Sequence, residues 1–258
     1  VTAPVRSSTT QWWVLTARTL RSAVRGGEAV TAIIAPIVFT VSFYVPLQKV
    51  ISMFGNGVDN FGQFLMPLIV LQAIAFTAIS VAFLAATDAV DGINRRFASM
   101  PIARLVPLGS RVASGMAKCV VSLMFALGCG YVIGFRFAGS ITDTAMFIGF
   151  VALIAVTLIL GADVIGTASR NPEATTQSLI LPQLVLGMLS SGFAPLEQFP
   201  TWVQPFVRNQ PVSQFTTALR DLADGTATST SLTPALLWLL ALLAVCIPLS
   251  LLLNARRS

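Results

Sequence analysis

The sequence predicts an all-α polytopic membrane protein. It has six transmembrane helices, an N-terminal amphipathic helix, and re-entrant helices on the outer side between the fifth and sixth spans. Three observations carry this. Hydrophobic residues make up 55% of the chain and charged residues 10%, whereas soluble domains carry roughly 25% charged residues. The apolar residues fall into long runs, and 258 residues hold about six crossings of roughly 20 each. The stretch from Gly187 to Asp221 is too polar to span and too apolar to be a free loop, so it belongs at an interface.

Taken in order, residues 1 to 9 are small and polar with no apolar h-region behind them, so no cleavable signal peptide is expected and the N-terminus is expected in the cytoplasm. From 10 to 25 Trp13, Ala17, Leu20 and Val24 recur at helical spacing while Arg18, Arg21 and Arg25 gather on another side. Such a helix lies on the inner leaflet, with Trp12 and Trp13 at headgroup level and the arginines toward anionic lipid. It serves as an anchor at least.

The first span, 29–47, contains Pro36 and Pro46, and Lys49 follows on the far side. A Gly- and Asn-rich turn leads into the charge-free second span, 61–87, where Gln72 lies deep in the run. An amide at that depth faces the bundle interior, either for structural hydrogen bonding or as part of a substrate path.

Residues 88–111 are the most charged part of the chain. Val90, Ile93, Phe97 and Met100 recur at helical spacing, Asp88, Asp91, Asn94, Arg95 and Arg96 occupy the remaining surface, and Pro101 ends the pattern. This is a short cytoplasmic helix over 88–100, either docking on a soluble partner or simply connecting two spans.

The third span covers 106–135, with Arg111 and Lys118 near its inner end, long enough to snorkel to the surface. Gly128, Gly130 and Gly134 miss the GxGxxG dinucleotide pattern because Ile133 stands at its last glycine, so they read as small residues for helix packing. The fourth span covers 144–165, with Asp163 at its inner end, and the fifth covers 174–190, with Gln177 and Gln183.

In the outer segment, 193–221, prolines at 195, 200, 205 and 211 limit helices to short pieces, and Phe199, Trp202 and Phe206 alternate with polar residues. The last span is 234–253.

Charge agrees with both termini inside. Arg6, Arg18, Arg21, Arg25, Arg95, Arg96, Arg104, Arg111, Lys118, Arg170, Arg256 and Arg257 then face the cytoplasm, and Lys49, Arg136, Arg208 and Arg220 face outward. The acidic residues divide evenly, so the asymmetry lies in Lys and Arg, as the positive-inside rule requires. The net charge of +6 is explained by orientation and implies no nucleic-acid partner.

Several chemistries are excluded. There is no histidine, which removes Ser-His-Asp and Cys-His arrangements and an imidazole zinc site. Cys119, Cys129 and Cys246 lie in apolar runs and read as small hydrophobes, with no disulfide expected. The two lysines, Lys49 and Lys118, follow Gln and Ala, so no Walker A loop exists and this chain holds no nucleotide site of that type. Any ATP must be bound by another subunit.

The order of these elements resembles the ABC-2 type permease subunits over nearly the whole chain. The run from Phe193-Ala194-Pro195-Leu196 through Phe199-Pro200, Trp202, Gln204-Pro205-Phe206, Asn209-Gln210-Pro211 to Ala218-Leu219-Arg220 is similar to the daunorubicin-resistance (DrrB-like) branch. Asn94-Arg95-Arg96-Phe97 with Ser99-Met100-Pro101, and Tyr131 through Phe137, look like mycobacterial members associated with export of phthiocerol-type lipids.

The resemblance implies one transmembrane domain over 1–258. It also implies a coupling helix in 88–100 (Asp88, Asp91, Asn94, Arg95, Arg96, Phe97, Met100) and a connecting helix carrying Trp12, Trp13, Arg18, Arg21 and Arg25. Outer re-entrant helices would hold Pro195, Phe199, Pro200, Trp202, Pro205, Phe206, Pro211 and Arg220. Apart from the resemblance, Gln72 and Gln183, as amides inside spans, are the candidates for a substrate path. Two ATPase subunits with ATP and Mg2+, and a second permease, identical or homologous, would complete an exporter of hydrophobic lipids or amphipathic drugs from the inner membrane. The chain itself would hold no cofactor and no metal.

Two other functions compete for the same residues. Asp88 and Asp91-Gly92 look like the start of a membrane phosphotransferase motif, but Arg95, Leu105, Gly109 and Ala113 stand where its remaining residues belong. An ion-coupled carrier would use Asp163 as its proton site, although Arg111 or Lys118 can pair with it there and no inverted repeat is visible.

Overall fold

The computed structural model describes residues 8–25, 27–46, 60–93, 106–169 and 171–255. Nine α-helices are present among them, and no strand. In chain order they are α1 (Ser8–Arg25), α2 (Glu28–Phe39), α3 (Phe61–Val90), α4 (Val106–Val132), α5 (Ile141–Ala168), α6 (Pro172–Met188), α7 (Gln204–Asn209), α8 (Pro211–Asp224) and α9 (Ser229–Ala255). Four of them, α3, α4, α5 and α9 as far as Leu253, are long and apolar enough to cross a membrane. The chain is therefore a multi-pass membrane protein.

Helix α3 is the centre of the bundle, packed by α2, α4, α5, α6 and α8. Its interior positions are mostly small or β-branched, and Leu65, Met66, Leu68, Ile69, Val70 and Ala73 have no exposed surface at all. Close approach is built on glycines of the neighbours. A side chain at Gly166 of α5 would run into the Ala82 carbonyl, and one at Gly130 of α4 would meet the Met66 sulfur at 2.6 Å. Such small-residue contacts let packing hold helices together where lipid is as apolar as leucine. Helix α9 lies at the edge, on α5 and α8.

The predicted first and fifth spans are the shorter helices. Helix α2 passes into a π-helical turn at Thr40–Tyr44, four residues after Pro36, where Thr40 Oγ1 donates to the Pro36 carbonyl at 2.7 Å. Helix α6 begins on Pro172, capped by the Asn171 side chain, and buries only Thr175 and Gly187.

Several boundaries move. The second span continues as one helix to Val90, so Asp88 belongs to α3 and not to a separate cytoplasmic helix. The helix ends at Asp91 and Gly92, whose φ of +69° is the left-handed conformation that stops helices. The third span stops at Val132 rather than 135, because Gly134, at φ +98°, turns the chain so that Phe135 drops into the core against Phe137. The fourth starts at Ile141, earlier than 144, on a Ser140–Asp143 capping box, and runs on to Ala168, past 165. The sixth extends past 234–253 to Ser229–Ala255, and the amphipathic helix begins at Ser8. In the outer segment the prolines open helices: Pro205 and Pro211 stand in the first turns of α7 and α8, where the missing N–H costs nothing.

Candidate functional site

Three layers of polar contacts are strung along α3. The inner layer rests on the face of α4 that repeats Arg111, Ser114, Lys118 and Ser122 at three- and four-residue spacing, all buried. The Arg111 Nε donates to Asp163 Oδ1 of α5 at 2.5 Å, with both residues nearly inaccessible. Seven residues on, Lys118 Nζ donates to Ser80 Oγ of α3 at 3.0 Å. Neither side chain snorkels to the surface as their length suggested: both point into the bundle, where charged and hydroxyl partners are within reach. A buried ion pair contributes little net stability, but losing one member strands the other, at a cost of about 3–5 kcal/mol. This pair therefore ties α4 to α5.

The same layer opens into a cavity of about 170 Å³ that brings Arg18 and Thr19 of α1 together with Asp88 of α3 and Ser110 and Arg111 of α4. Arg18 and Asp88 stand on separate helices, α1 and α3, which the fold brings together here. Helix α1 reaches this place through Trp12, which packs on the flat surface left by Gly109 of α4. Trp13 is 66% exposed, and Arg18 and Arg21 are exposed as well. Of the predicted coupling residues, Asp91 is exposed just beyond α3. Asn94, Arg95, Arg96, Phe97 and Met100, and the side chain of Arg25, lie outside the described residues.

The middle layer joins the two glutamines. Gln183 Nε2 of α6 donates to Gln72 Oε1 of α3 at 2.9 Å. Gln72 lies eleven residues into α3, about 16 Å along it at 1.5 Å per residue. It is 3% exposed, and its amide nitrogen rests on Gly187, where any side chain would collide with it. That nitrogen and Gln183 Oε1 have no hydrogen-bond partner among the described residues. Both glutamines line an open cleft of about 320 Å³ between α3, α5, α6, α8 and α9. Pro211, Val212 and Phe215 of α8 form one wall, so the outer segment reaches the depth of the amides. Sequence reasoning found Gln72 and Gln183 but not this wall, whose signal was the apolar face of a helix that reads as merely interfacial.

The third layer ties down the segment between α6 and α9. Gln63, in the first turn of α3, receives the Arg136 N–H at 2.9 Å and donates to Asp224 Oδ1 at 2.6 Å and to the Arg136 carbonyl at 2.9 Å. Arg220 donates to the Phe64 carbonyl at 3.0 Å and sets its guanidinium 4.0 Å from the Phe64 ring centre. Burial draws Arg220 down to about 10, so it remains protonated at neutral pH. Gln210, just before α8, donates to the Leu186 carbonyl at 3.2 Å and to that of Leu189, which clamps the start of α8 to the end of α6. Pro195, Phe199 and Pro211 are half-buried, whereas Pro200, Pro205, Trp202 and Phe206 are exposed, Trp202 to 82%. The Trp202 and Phe206 rings are thus left uncovered by the rest of the chain.

The arrangement offers no set of three or more acidic, Cys or His residues that could hold a metal ion among the described residues. What it offers is a polar inner latch, an apolar cleft with one amide pair, and a fastened outer cap. Comparisons with known proteins agree with a transport role. A family model described as ABC-2 family transporter protein matches residues 12–252. The chain is 43% identical to the doxorubicin resistance ABC transporter permease protein DrrB of Mycobacterium tuberculosis (strain H37Rv), over 96% of this chain and 89% of that one. It is 29% identical to the probable doxorubicin resistance permease DrrC of the same strain, over 85% and 79%, and 25% identical to the daunorubicin resistance permease DrrB1 of Streptomyces coeruleorubidus, over 78% and 70%. This protein belongs to the ABC-2 family of transporter proteins.

Proposed function

We propose that this chain is the permease subunit of an ABC exporter that carries a hydrophobic substrate, a complex lipid or an amphipathic drug, out across the cytoplasmic membrane. The observation that carries the reading is the family match over nearly the whole chain, in a sequence that has no Walker A loop of its own. ATP and Mg2+ belong to a separate ATPase, two copies of which serve two permeases, identical or homologous. The chain works as one domain of six spans, counting α2 and α6, with both termini in the cytoplasm and α7 and α8 as the outer re-entrant pair.

Coupling runs through 88–100 and the connecting helix α1, since hydrolysis in a partner moves spans only through rigid contacts. The cavity shared by Arg18, Asp88 and Arg111 supports this, because a push on either element reaches the Arg111–Asp163 pair directly. That same pairing counts against the ion-coupled carrier, in which Asp163 must exchange protons with water: it is 1% exposed and faces an arginine.

The test is transport in inverted vesicles holding this chain together with the ATPase expressed beside it. Uptake of a fluorescent lipid or anthracycline that requires ATP, and stops when the Walker A lysine of the ATPase is replaced, supports the reading. Uptake driven by a proton gradient without the ATPase contradicts it.

A further inference from the structure

The turn where α2 changes its winding carries an inference about how the segment from Leu189 to Asp224 is held. Thr40–Tyr44 form a single π-helical turn, set between α-type bonds from the Thr40 N–H to the Pro36 carbonyl and from the Val45 N–H to the Val41 carbonyl. A π turn takes one residue more than an α turn and recurs at functional places in helices. Its consequence here is the direction of Tyr44. An α-helix turns ~100° per residue, so Tyr44, five residues after Phe39, would point about 140° away from it. The wide turn instead brings Tyr44 round to the protein side beside Phe43, which stacks on Phe39 at 5.7 Å. Both rings then meet elements that hold the segment. Phe43 stands edge-on to Phe193, with centroids 5.7 Å apart. Tyr44 stacks on Phe61 at 6.0 Å and Phe61 on Phe64 at 6.3 Å, and over the Phe64 ring lies the guanidinium of Arg220 from α8. Arg220 also donates to the Ser191 carbonyl at 3.4 Å, close in the chain to Phe193, so the two routes form one ring of contacts.

The turn itself is loosely held. Pro36 and Pro46 bracket it, and neither has an N–H, so the carbonyls of Ala32 and Ser42 receive no α-helical bond. Thr40 Oγ1 adds a bond to the Pro36 carbonyl at 2.7 Å, of the kind that bends a helix. On the far side Val41, Ser42 and Val45 are exposed, so the described residues leave room for the turn to rotate. From this geometry we propose that the π turn is a register switch for the segment 189–224. In the π register Tyr44 supports the Phe61–Phe64 platform on which Arg220 rests, and the segment is held. In the α register Tyr44 swings away from Phe61 while Phe43, four residues after Phe39, keeps its side, and the hold on α8 loosens. The inference goes beyond the export reading and concerns this chain alone, so it stands or falls without ATP-driven transport.

The experiment is amide hydrogen exchange, read by mass spectrometry, on the purified full chain in lipid nanodiscs. Peptides covering 189–199 and 211–224 report on the segment, and 65–75 in the core of α3 reports on the fold. Deleting the exposed Val41 removes the extra residue, so an ordinary α turn then places Tyr44 four residues after Phe39, on the same side, and the held state becomes the only one. Exchange in both segment peptides is expected to slow at least about tenfold, with 65–75 unchanged; each tenfold is ~1.4 kcal/mol. Tyr44→Ala, which leaves the platform unsupported, is expected to speed the same peptides about fivefold. Should the deletion disturb the fold, seen as faster exchange in 65–75, Tyr44→Cys with Phe61→Cys, joined by a short methanethiosulfonate linker, is expected to give the same slowing when joined and to lose it on reduction. A turn that only fills space predicts no slowing. Segment exchange unchanged by both the deletion and the linker, or speeded by the deletion while 65–75 stays protected, would overturn the proposal.

Discussion

Helices α3 and α9 are equally credible membrane spans by sequence, yet 72% of the most apolar stretch of α3 is buried in the protein and only 11% of that of α9. What separates them is side-chain size and polarity. The buried side of α3 is rich in alanine, with Gly62, Gln72 and Thr77 besides, and each of the last two makes a hydrogen bond. Helix α9 is a run of leucines, and Leu237, Leu240 and Leu252 are more than half exposed. In water the leucine-rich helix would be the core. In lipid, large apolar side chains gain nothing by leaving the solvent, so the interior goes to the helix that packs closely and carries polar groups.

The largest effect expected from this contrast is at the inner latch. Asp163→Ala leaves the Arg111 charge buried beside α3 and is expected to destabilise the bundle by about 3–5 kcal/mol, read as a lower detergent denaturation midpoint. Next comes the direct comparison of leucines. Leu68→Ala in α3, at a position with no exposed surface, is expected to cost about 2 kcal/mol or more through the void it leaves, whereas Leu240→Ala in α9, 62% exposed, stays within about 0.5 kcal/mol. Equal losses at the two sites would break the comparison. Between these lies Arg220→Met, which removes the bond to the Phe64 carbonyl and the contact with its ring. It is expected to cost about 1–2 kcal/mol and to expose α8 to proteolysis from the outer side first.

The long spans were legible from apolar runs alone, and so were the polar positions that matter: Gln72, Gln183, Asp163, Arg111 and Lys118. Their partners were not, because a run of apolar residues states that a helix is in the membrane but not which side meets protein. Snorkelling was the wrong expectation for Arg111 and Lys118, since sequence gives the reach of a side chain and not the direction of its helix face. Helix ends were misjudged where a single glycine decides them, as at Gly92 and Gly134, whose left-handed backbone is invisible in composition. The outer segment was legible as broken, because proline stops helices. It was less legible that Pro205 and Pro211 also start them.

The central claim is that this permease is driven by a separate ATPase through its cytoplasmic side. The direct measurement is to tag the chain, extract it in mild detergent from its native cell, and identify by mass what remains bound. A Walker-type ATPase in stoichiometric amount, lost when Arg95, Arg96 and Phe97 are replaced together, is the result predicted. A chain that purifies alone and still moves substrate under a proton gradient would contradict it and return attention to Asp163.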